Sequence, residues 1–319
     1  MFFDINDNEM LKIGKDCTML SIIVCIKWRG DKLRKDEMKS LIVACDKLIN
    51  RYLLRGTAFV EYACFQYGKY NAFISGEPDA HFISDFQYFV FTKSTKSLKA
   101  IRLLLHQGYM EDVMILLRTM FEGYLASRYI DENYDAKLLN DFIFVPQLIA
   151  HRKVIYQEGV AKDRVNNEII EFIQRDPSKL KLGKDKSYFT DLYAYMCNYA
   201  HCNFSILACY IDEQGAFTCS KETNALLVRV LVLFVYTKTF ENVVTVEGED
   251  FLDERTEKEC YKLVKDSTLF TYKQLEHFSK YNSDVNKELN KHMKKMFKDM
   301  KNSLKEEVGS VNKDFLKEI

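Results

Sequence analysis

The segment Leu105-His106-Gln107-Gly108-Tyr109-Met110-Glu111-Asp112 joins two long apolar patterns in the chain. The pattern before it predicts a helix from Phe82 to His106, which Gly108 ends as a C-terminal cap. The pattern after it predicts a second helix from Tyr109 to Ile130, with acidic side chains in its first turn, where they favour the helix dipole. Because the connection is so short, we expect the two helices to pack as an antiparallel hairpin.

The composition extends this prediction to the whole chain. The 319 residues include 3 prolines and 12 glycines, whereas average usage gives about 16 and 22. So few helix breakers, in a background rich in Lys, Glu and Leu, favour long helices over strands. The hydrophobic fraction of 47% is sufficient for a large core. We therefore predict an all-α, multi-helix bundle.

The bundle is predicted to have three regions. Residues 1–80 form an N-terminal helical region, residues 81–250 the core bundle, and residues 251–319 the C-terminal helices, with a loop at residues 75–79 near the first boundary. Further elements are predicted by the same periodicity. They are helices over 137–158, 188–210, 223–244 and 254–280, and a small β-hairpin over 211–220.

An amphipathic tail helix is predicted from about residue 284 onwards. Its apolar stripe contains residues three to four positions apart. They are Leu289, Met293, Met296, Met300 and Leu304. Such a stripe predicts docking either on the protein's own body or on another chain, as a protein partner or in a homo-oligomer.

Charge and cysteine usage predict a cytoplasmic protein. The 46 basic and 46 acidic residues balance, so no overall attraction to nucleic acid or anionic membranes is expected, although a local basic patch is compatible with this balance. The nine cysteines form no C-x-x-C pair and are predicted to be reduced core residues. The N-terminus lacks the basic segment of a signal peptide. The most apolar run, Ala225 to Tyr236, is too short for a membrane span.

Arg118 and Glu122 form the first candidate functional pair. They are four residues apart in an otherwise apolar helix, so they share a face and can pair. Such a pair either lines a pocket or serves as a structural ion pair that fixes the helix register. Both interpretations are open at this stage.

A second polar group follows on a later helix. Tyr193, Cys197 and His201 recur at intervals of four, with Asn198 beside them. This spacing places the first three on one helical face, and the apolar neighbours predict that His201 is at least half buried. A structural alternative is a core histidine bonded to a backbone carbonyl or to Glu122. A metal site built from His201 and nearby cysteines lacks a further ligand, so no metal or cofactor is predicted.

These residues carry a resemblance to a known family. Leu105–Asp112 followed by Leu117–Glu122 is similar to the motifs G-x-x-x-[ED]-A and R-[ST]-x-[FL]-E of an uncharacterised bacterial family. Tyr193–His201 is similar to its later motif, Y-x-x-[LM]-[SC]-x-x-x-H. Asp112-Val113 departs from the acid–alanine pair of the family. The resemblance covers roughly Leu98 to Phe240.

That all-helical family of unknown function in turn resembles the HEPN superfamily of toxin–antitoxin and phage-defence modules. The resemblance implies metal-independent RNA cleavage, in which a histidine moves a proton at the 2′-hydroxyl or leaving group and an arginine stabilises the phosphorane charge. HEPN nucleases carry the two residues four to six positions apart on one helix, and this spacing is missing near His201. Arg118 would therefore supply the charge from the neighbouring helix. Glu122, Tyr193 and Asn198 complete the candidate catalytic set.

Three functional hypotheses follow. The first is a toxin or phage-defence effector that cleaves RNA under the control of a partner or assembly. The second is a non-catalytic sensor, adaptor or scaffold whose polar residues only lock the bundle. The third is a module that binds a nucleotide or another anionic small ligand, with Arg118 contacting the anion. The sequence contains no P-loop, dinucleotide-binding, hydrolase-elbow or zinc-protease motif.

Overall fold

The computed structural model describes most of the chain. The described residues are 35–62, 81–133, 136–180, 188–201, 204–212, 214–220, 224–251, 254–279, 291 and 293–303. The predictions for residues 1–34, for the loop at 75–79, and for Leu289 and Leu304 of the tail stripe lie outside these residues.

Helices make up most of the described structure, and this confirms the predicted all-α class. The helices are α1 (Lys35–Tyr62), α2 (His81–Gln107), α3 (Met110–Glu132), α4 (Ala136–Leu139), α5 (Val145–Ala150), α6 (Tyr188–Ala200), α7 (Ala225–Phe251) and α8 (Glu254–Ser279). The bounds of α2, α3 and α8 agree with the predicted ones to within two residues.

The α2–α3 hairpin forms as the sequence predicts. Gly108 has a φ of +84°, a conformation that costs glycine little. The backbone N–H of Tyr109 donates to the carbonyl of Leu104 at 3.0 Å, as in a Schellman cap. A Cβ on Gly123 of α3 would lie 3.1 Å from Cγ1 of Val90 on α2. The missing side chain therefore lets the two helices approach closely.

Helix α7 is the centre of the bundle. Every residue from 226 to 240 is buried, and α7 packs against α1, α2, α3 and α8. A helix that is apolar on every side is stable when other helices surround it. One hydrophobic cluster contains buried residues from Cys45 to Met300. This core joins residues of all three predicted regions, and the division into regions stays a prediction.

The helix predicted over 137–158 is wrong beyond Ala150. The chain passes from α4 through a π-helical turn (Asn140–Phe144) into α5 and then forms an antiparallel sheet. Its strands are β1 (Val154–Gln157), β2 (Val160–Asp163) and β3 (Ile169–Ile170). Glu158 and Gly159, with φ values of +50° and +80°, form the two-residue turn that reverses the chain between β1 and β2.

The segment after α6 also differs from the prediction. The helix expected over 188–210 ends at Ala200, and a 3₁₀ turn follows at Phe204–Cys209. The hairpin expected over 211–220 is present as a bridge between Ile211 and Phe217. Gly215, with a φ of +84°, supports the turn between them.

The tail helix, residues 293–303, docks on the protein's own body. Met293, Met296 and Met300 of the predicted stripe are buried. The ring of Phe297 packs against Phe278 of α8 with 5.8 Å between centroids. This is the first of the two alternatives that the stripe allowed. An assembly through the same face would require the tail helix to leave this position.

The remaining predictions concern membranes and cysteines. None of the helices in the described parts of the chain is long and apolar enough to cross a membrane. Cys45, Cys209 and Cys260 are buried and free, as predicted for reduced core residues, whereas Cys197 is half-buried and Cys219 is exposed, so the prediction of a core position is wrong for Cys219. Burial raises the pKa of Cys45 and of Cys260, so both thiols stay protonated at neutral pH.

Candidate functional site

Arg118 and Glu122 pair on the surface of α3 that faces α6. Their Nη2 and Oε1 atoms are 3.0 Å apart, and about a quarter of each side chain is exposed. The spacing of four residues places them on one face of the helix, as the sequence predicts. The pair therefore lies at the edge of the core, between dry interior and solvent.

Tyr193 of α6 completes this pair. Arg118 donates from Nη2 to the Tyr193 hydroxyl at 3.1 Å, and that hydroxyl donates to Oε1 of Glu122 at 2.9 Å. The guanidinium also lies over the tyrosine ring, 5.4 Å from its centroid. The three side chains close a triangle of interactions, which we call the Arg118–Glu122–Tyr193 network.

Ring stacking between α3 and α6 holds this network in place. Phe121 of α3 and Phe189 of α6 stack almost parallel, with 5.6 Å between centroids and 7° between planes. Tyr193 follows Phe189 by one turn, and Arg118 precedes Phe121 by nearly one turn. Because the helices run antiparallel here, the stacked rings bring the phenol opposite the guanidinium.

The network keeps its tyrosine neutral and its arginine charged. Burial raises the pKa of Tyr193 to about 12, so the phenol stays a hydrogen-bond donor at neutral pH. The hydrogen bond to Tyr193, followed by the charge of Glu122, raises the pKa of Arg118. Cys197, one turn after Tyr193, is close enough to affect the pKa of both residues.

Asn198 and His201 are not joined to this network. Within the described parts of the chain, neither side chain hydrogen-bonds or ion-pairs with Arg118, Glu122 or Tyr193. Helix α6 ends at Ala200, and His201 is exposed. The expectations that His201 lies on the helix and is half buried are therefore wrong. Eight residues of helix span about 12 Å, which separates His201 from Tyr193 along the axis.

A cleft of about 200 Å³ lies on the other side of Glu122. It is bounded by α2, α3, the π-helical turn and the segment around residues 175–180. Three aromatic rings, Phe86, Phe89 and Phe142, contribute to its lining. Glu122 belongs to both the network and the cleft, so the network fixes a carboxylate on the wall of a largely apolar space.

Two cationic residues also line the cleft, and the sequence did not identify them. Lys93 is exposed, and its Nζ lies 6.0 Å from the centroid of the Phe89 ring. Arg175 donates from Nη2 and Nε to Oδ2 of Asp141, at 2.9 and 3.1 Å. The Asp141 side chain is fully buried, so it fixes the guanidinium at the cleft. The spacing of Phe86, Phe89 and Lys93 on α2 is the sequence signal that could have indicated part of this surface.

A second, polar cleft lies at the α2–α3 turn, and Arg229 is part of its lining. Arg229 of α7, 5% exposed at its side chain, pairs with Asp46 at 3.0 Å. Its guanidinium also donates to the carbonyls of Ala225 and Leu105, each at 3.0 Å. These partners occupy the donors of Arg229, which therefore ties α7 and α1 to the end of α2.

Among the described residues, no group of three or more His, Cys, Asp or Glu side chains is placed to hold a metal ion.

One part of the chain, which contains the Arg118–Glu122–Tyr193 network, matches a known protein family. Residues 88–217 match the model of a family of unknown function (DUF5677). This match confirms the predicted resemblance to an uncharacterised family, while the likeness to HEPN bundles stays a prediction. No curated protein and no solved structure matches the chain. The DUF5677 region contains the whole network and most of the cleft lining, including Lys93 and Arg175.

Proposed function

We propose that this protein is a helical module that binds, in the cleft beside Glu122, a small ligand that carries an anionic group. The observation that carries this proposal is that Glu122 lines a largely apolar cleft while Arg118 and Tyr193 fix its position. Ligand sites characteristically combine apolar walls with a few polar groups held in place.

The anionic group of the ligand is assigned to Lys93, since the charge of Arg175, the other cationic residue of the cleft, is paired with Asp141. Arg118 was the residue expected to contact an anion, but its charge is paired with Glu122 and its guanidinium also binds Tyr193. Lys93 and Arg175 line the cleft itself. Lys93 is exposed, so it can bind an anion without first losing a carboxylate partner among the described residues.

The volume of the cleft limits the size of the ligand. Ligand pockets in proteins usually enclose about 300–1,000 Å³, and this cleft encloses about 200 Å³. The ligand would place a single ring or a short apolar chain inside, with its anionic end at the rim. A mononucleotide would fit only in part, with its phosphate outside.

Calorimetry and thermal shift tests can examine this proposal. The purified protein would be titrated with mononucleotides and with small carboxylates and phosphates. At least one should bind and raise the melting temperature. Lys93→Gln should weaken binding at least tenfold, whereas Lys96→Gln, an exposed lysine on the same helix and outside the cleft, should not. Equal binding by the two variants would contradict the assigned site.

A second candidate function is metal-independent RNA cleavage by a toxin or defence effector. The observation in its favour is that His201 is exposed at the end of α6, where RNA or another copy of the chain can reach it. Proton transfer requires such access. Total RNA would be incubated with wild type, Asn198→Ala and His201→Ala in the presence of a chelator. Cleavage that His201→Ala abolishes would support this candidate. Cleavage that persists in His201→Ala would exclude His201 as the catalytic residue, and no cleavage by wild type would contradict the candidate.

If neither ligand binding nor cleavage is found, the network has a structural role. It would then lock α3 against α6 in a sensor, adaptor or scaffold. The stability measurements described below test that role independently of any ligand.

A further inference from the structure

We propose that the ligand of the cleft is a small zwitterion with an apolar side chain, of the class of free apolar α-amino acids. This inference rests on the proposed function and specifies its ligand. It follows from three properties of the cleft: one acceptor on Glu122, the exposed cation of Lys93 and a wall of aromatic rings.

Glu122 offers the cleft one oxygen rather than two. Its Oε1 forms the ion pair with Arg118 and accepts the hydrogen bond from Tyr193. Its Oε2 has no hydrogen-bond partner among the described residues. A guanidinium prefers two parallel acceptors, whereas an ammonium group can bind a single one. The free oxygen therefore favours an ammonium group on the ligand.

Lys93 provides the opposite charge a short distance away. The closest approach of the two helices places Gly123 against Val90. Glu122 is adjacent to Gly123, and Lys93 follows Val90 by nearly one helical turn, which is about 5 Å of rise. An acceptor and a cation on the wall of one cleft of about 200 Å³ match a ligand that carries both an ammonium and a carboxylate group.

Aromatic rings surround the space between these charges. Phe86 packs edge-on against Phe142, with 6.2 Å between centroids, and it also contacts Phe89 at 6.4 Å. Phe89 is 58% exposed, which is high for a phenylalanine ring. An apolar side chain of the ligand would cover this ring and remove it from water. A cleft of about 200 Å³ has room for one such side chain.

The test compares phenylalanine with two analogues that each lack one charge. Calorimetry would measure binding of L-phenylalanine, phenethylamine and 3-phenylpropionate to the full-length wild type. The zwitterion should bind at least tenfold more tightly than either analogue. If 3-phenylpropionate binds as tightly as phenylalanine, or if only mononucleotides bind, the zwitterion inference is overturned while the proposed anion-binding function stands. If no ligand binds, both fail.

Two variants test which residue binds the ammonium group of the ligand and which binds its carboxylate. Glu122→Gln keeps one oxygen for Arg118 and Tyr193 and replaces Oε2 by a group that cannot accept from an ammonium. It should weaken phenylalanine binding at least tenfold and leave 3-phenylpropionate binding nearly unchanged. Lys93→Gln, on an exposed side chain that folding does not depend on, should weaken phenylalanine but not phenethylamine. Equal losses for all three ligands in both variants would contradict the assignment.

Discussion

Tyr193 donates its hydroxyl hydrogen to Oε1 of Glu122 at 2.9 Å and thereby ties α6 to α3. The same oxygen forms an ion pair with Nη2 of Arg118 at 3.0 Å. Arg118 and Tyr193, which are 75 positions apart in the chain, thus share one carboxylate oxygen. This contact orders the wall of the cleft on which both ligand proposals depend.

The network is expected to contribute measurably to stability. Tyr193→Phe removes two hydrogen bonds in a partly buried position, so the free energy of unfolding should fall by about 1–2 kcal/mol. Glu122→Gln should lower the free energy of unfolding less, since its amide oxygen can still accept from Tyr193 and an ion pair that is about a quarter exposed contributes little. Urea denaturation of the two single variants and the double variant would measure the coupling between them. Additive losses would mean that the hydrogen bond does not link the two residues energetically.

Alkaline pH should destabilise the protein partly through Tyr193. Its pKa is raised from 10.0 to about 12 in the folded protein, so between these values the unfolded chain loses the proton first. The stabilising contribution is therefore complete below pH 10 and is lost as the pH rises towards 12. Burial also raises the pKa of Tyr52 and Tyr236. The fall of the wild-type melting temperature with rising pH therefore has several sources. In Tyr193→Phe, the melting temperature should fall less between pH 10 and pH 12 than in wild type. The same fall in both proteins would show that Tyr193 does not contribute to the alkaline destabilisation.

Gly56 should tolerate no side chain while Tyr236 keeps its hydroxyl. A Cβ on Gly56 of α1 would collide with the Tyr236 hydroxyl of α7, which is hydrogen-bonded to Thr95 at 2.7 Å. Gly56→Ala should cost about 1–3 kcal/mol, the usual range for overpacking a core. Tyr236→Phe removes the colliding atom, so the double variant should lose less than the sum of the single losses. Chemical denaturation would detect this rescue, and simple additivity would contradict the proposed collision.

Substitution of Arg229 should lower the free energy of unfolding more than most single substitutions do. Arg229→Met leaves the Asp46 carboxylate and the Leu105 and Ala225 carbonyls without their donor, and we expect a loss of about 3 kcal/mol. Arg51→Met provides the control, because Arg51 pairs with Asp266 at a similar distance of 3.1 Å but with side chains 44% and 39% exposed. Exposure to solvent limits that loss to less than about 1 kcal/mol. Similar losses in the two variants, measured by urea unfolding, would disprove the role of burial.

The tail helix is expected to be part of the folded core. Met296 is fully buried, so Met296→Ala should lower the free energy of unfolding by about 2–5 kcal/mol. Lys295→Ala, at an exposed neighbouring position, should change it by less than about 0.5 kcal/mol. Calorimetric melting at several protein concentrations would separate this role from an oligomer contact. A loss for Met296→Ala that appears only at high concentration would indicate an interface between chains instead.

Local patterns of the sequence were sufficient for much of the fold. The apolar repeats on either side of Leu105–Asp112 predicted the two helices of the hairpin, and Gly108 predicted the turn between them. Helices and turns of this kind depend on residues that are neighbours in the sequence. The Arg118–Glu122 pair was predictable for the same reason. The sheet after Ala150 was missed, since short strands and helix ends give weak periodic signals. The end of α6 at Ala200 was missed as well, because no glycine or proline follows it before residue 215.

The sequence by itself determined the helical class, the α2–α3 hairpin and the pairing of Arg118 with Glu122, since each depends on residues within a few turns of each other. Only the tertiary structure decided that Tyr193 joins this pair while His201 lies exposed outside it. It also decided that Lys93 and Arg175, 82 positions apart, line one cleft with Glu122. Such proximity arises from how whole helices pack around α7, and side-chain periodicity within one helix carries no information about it.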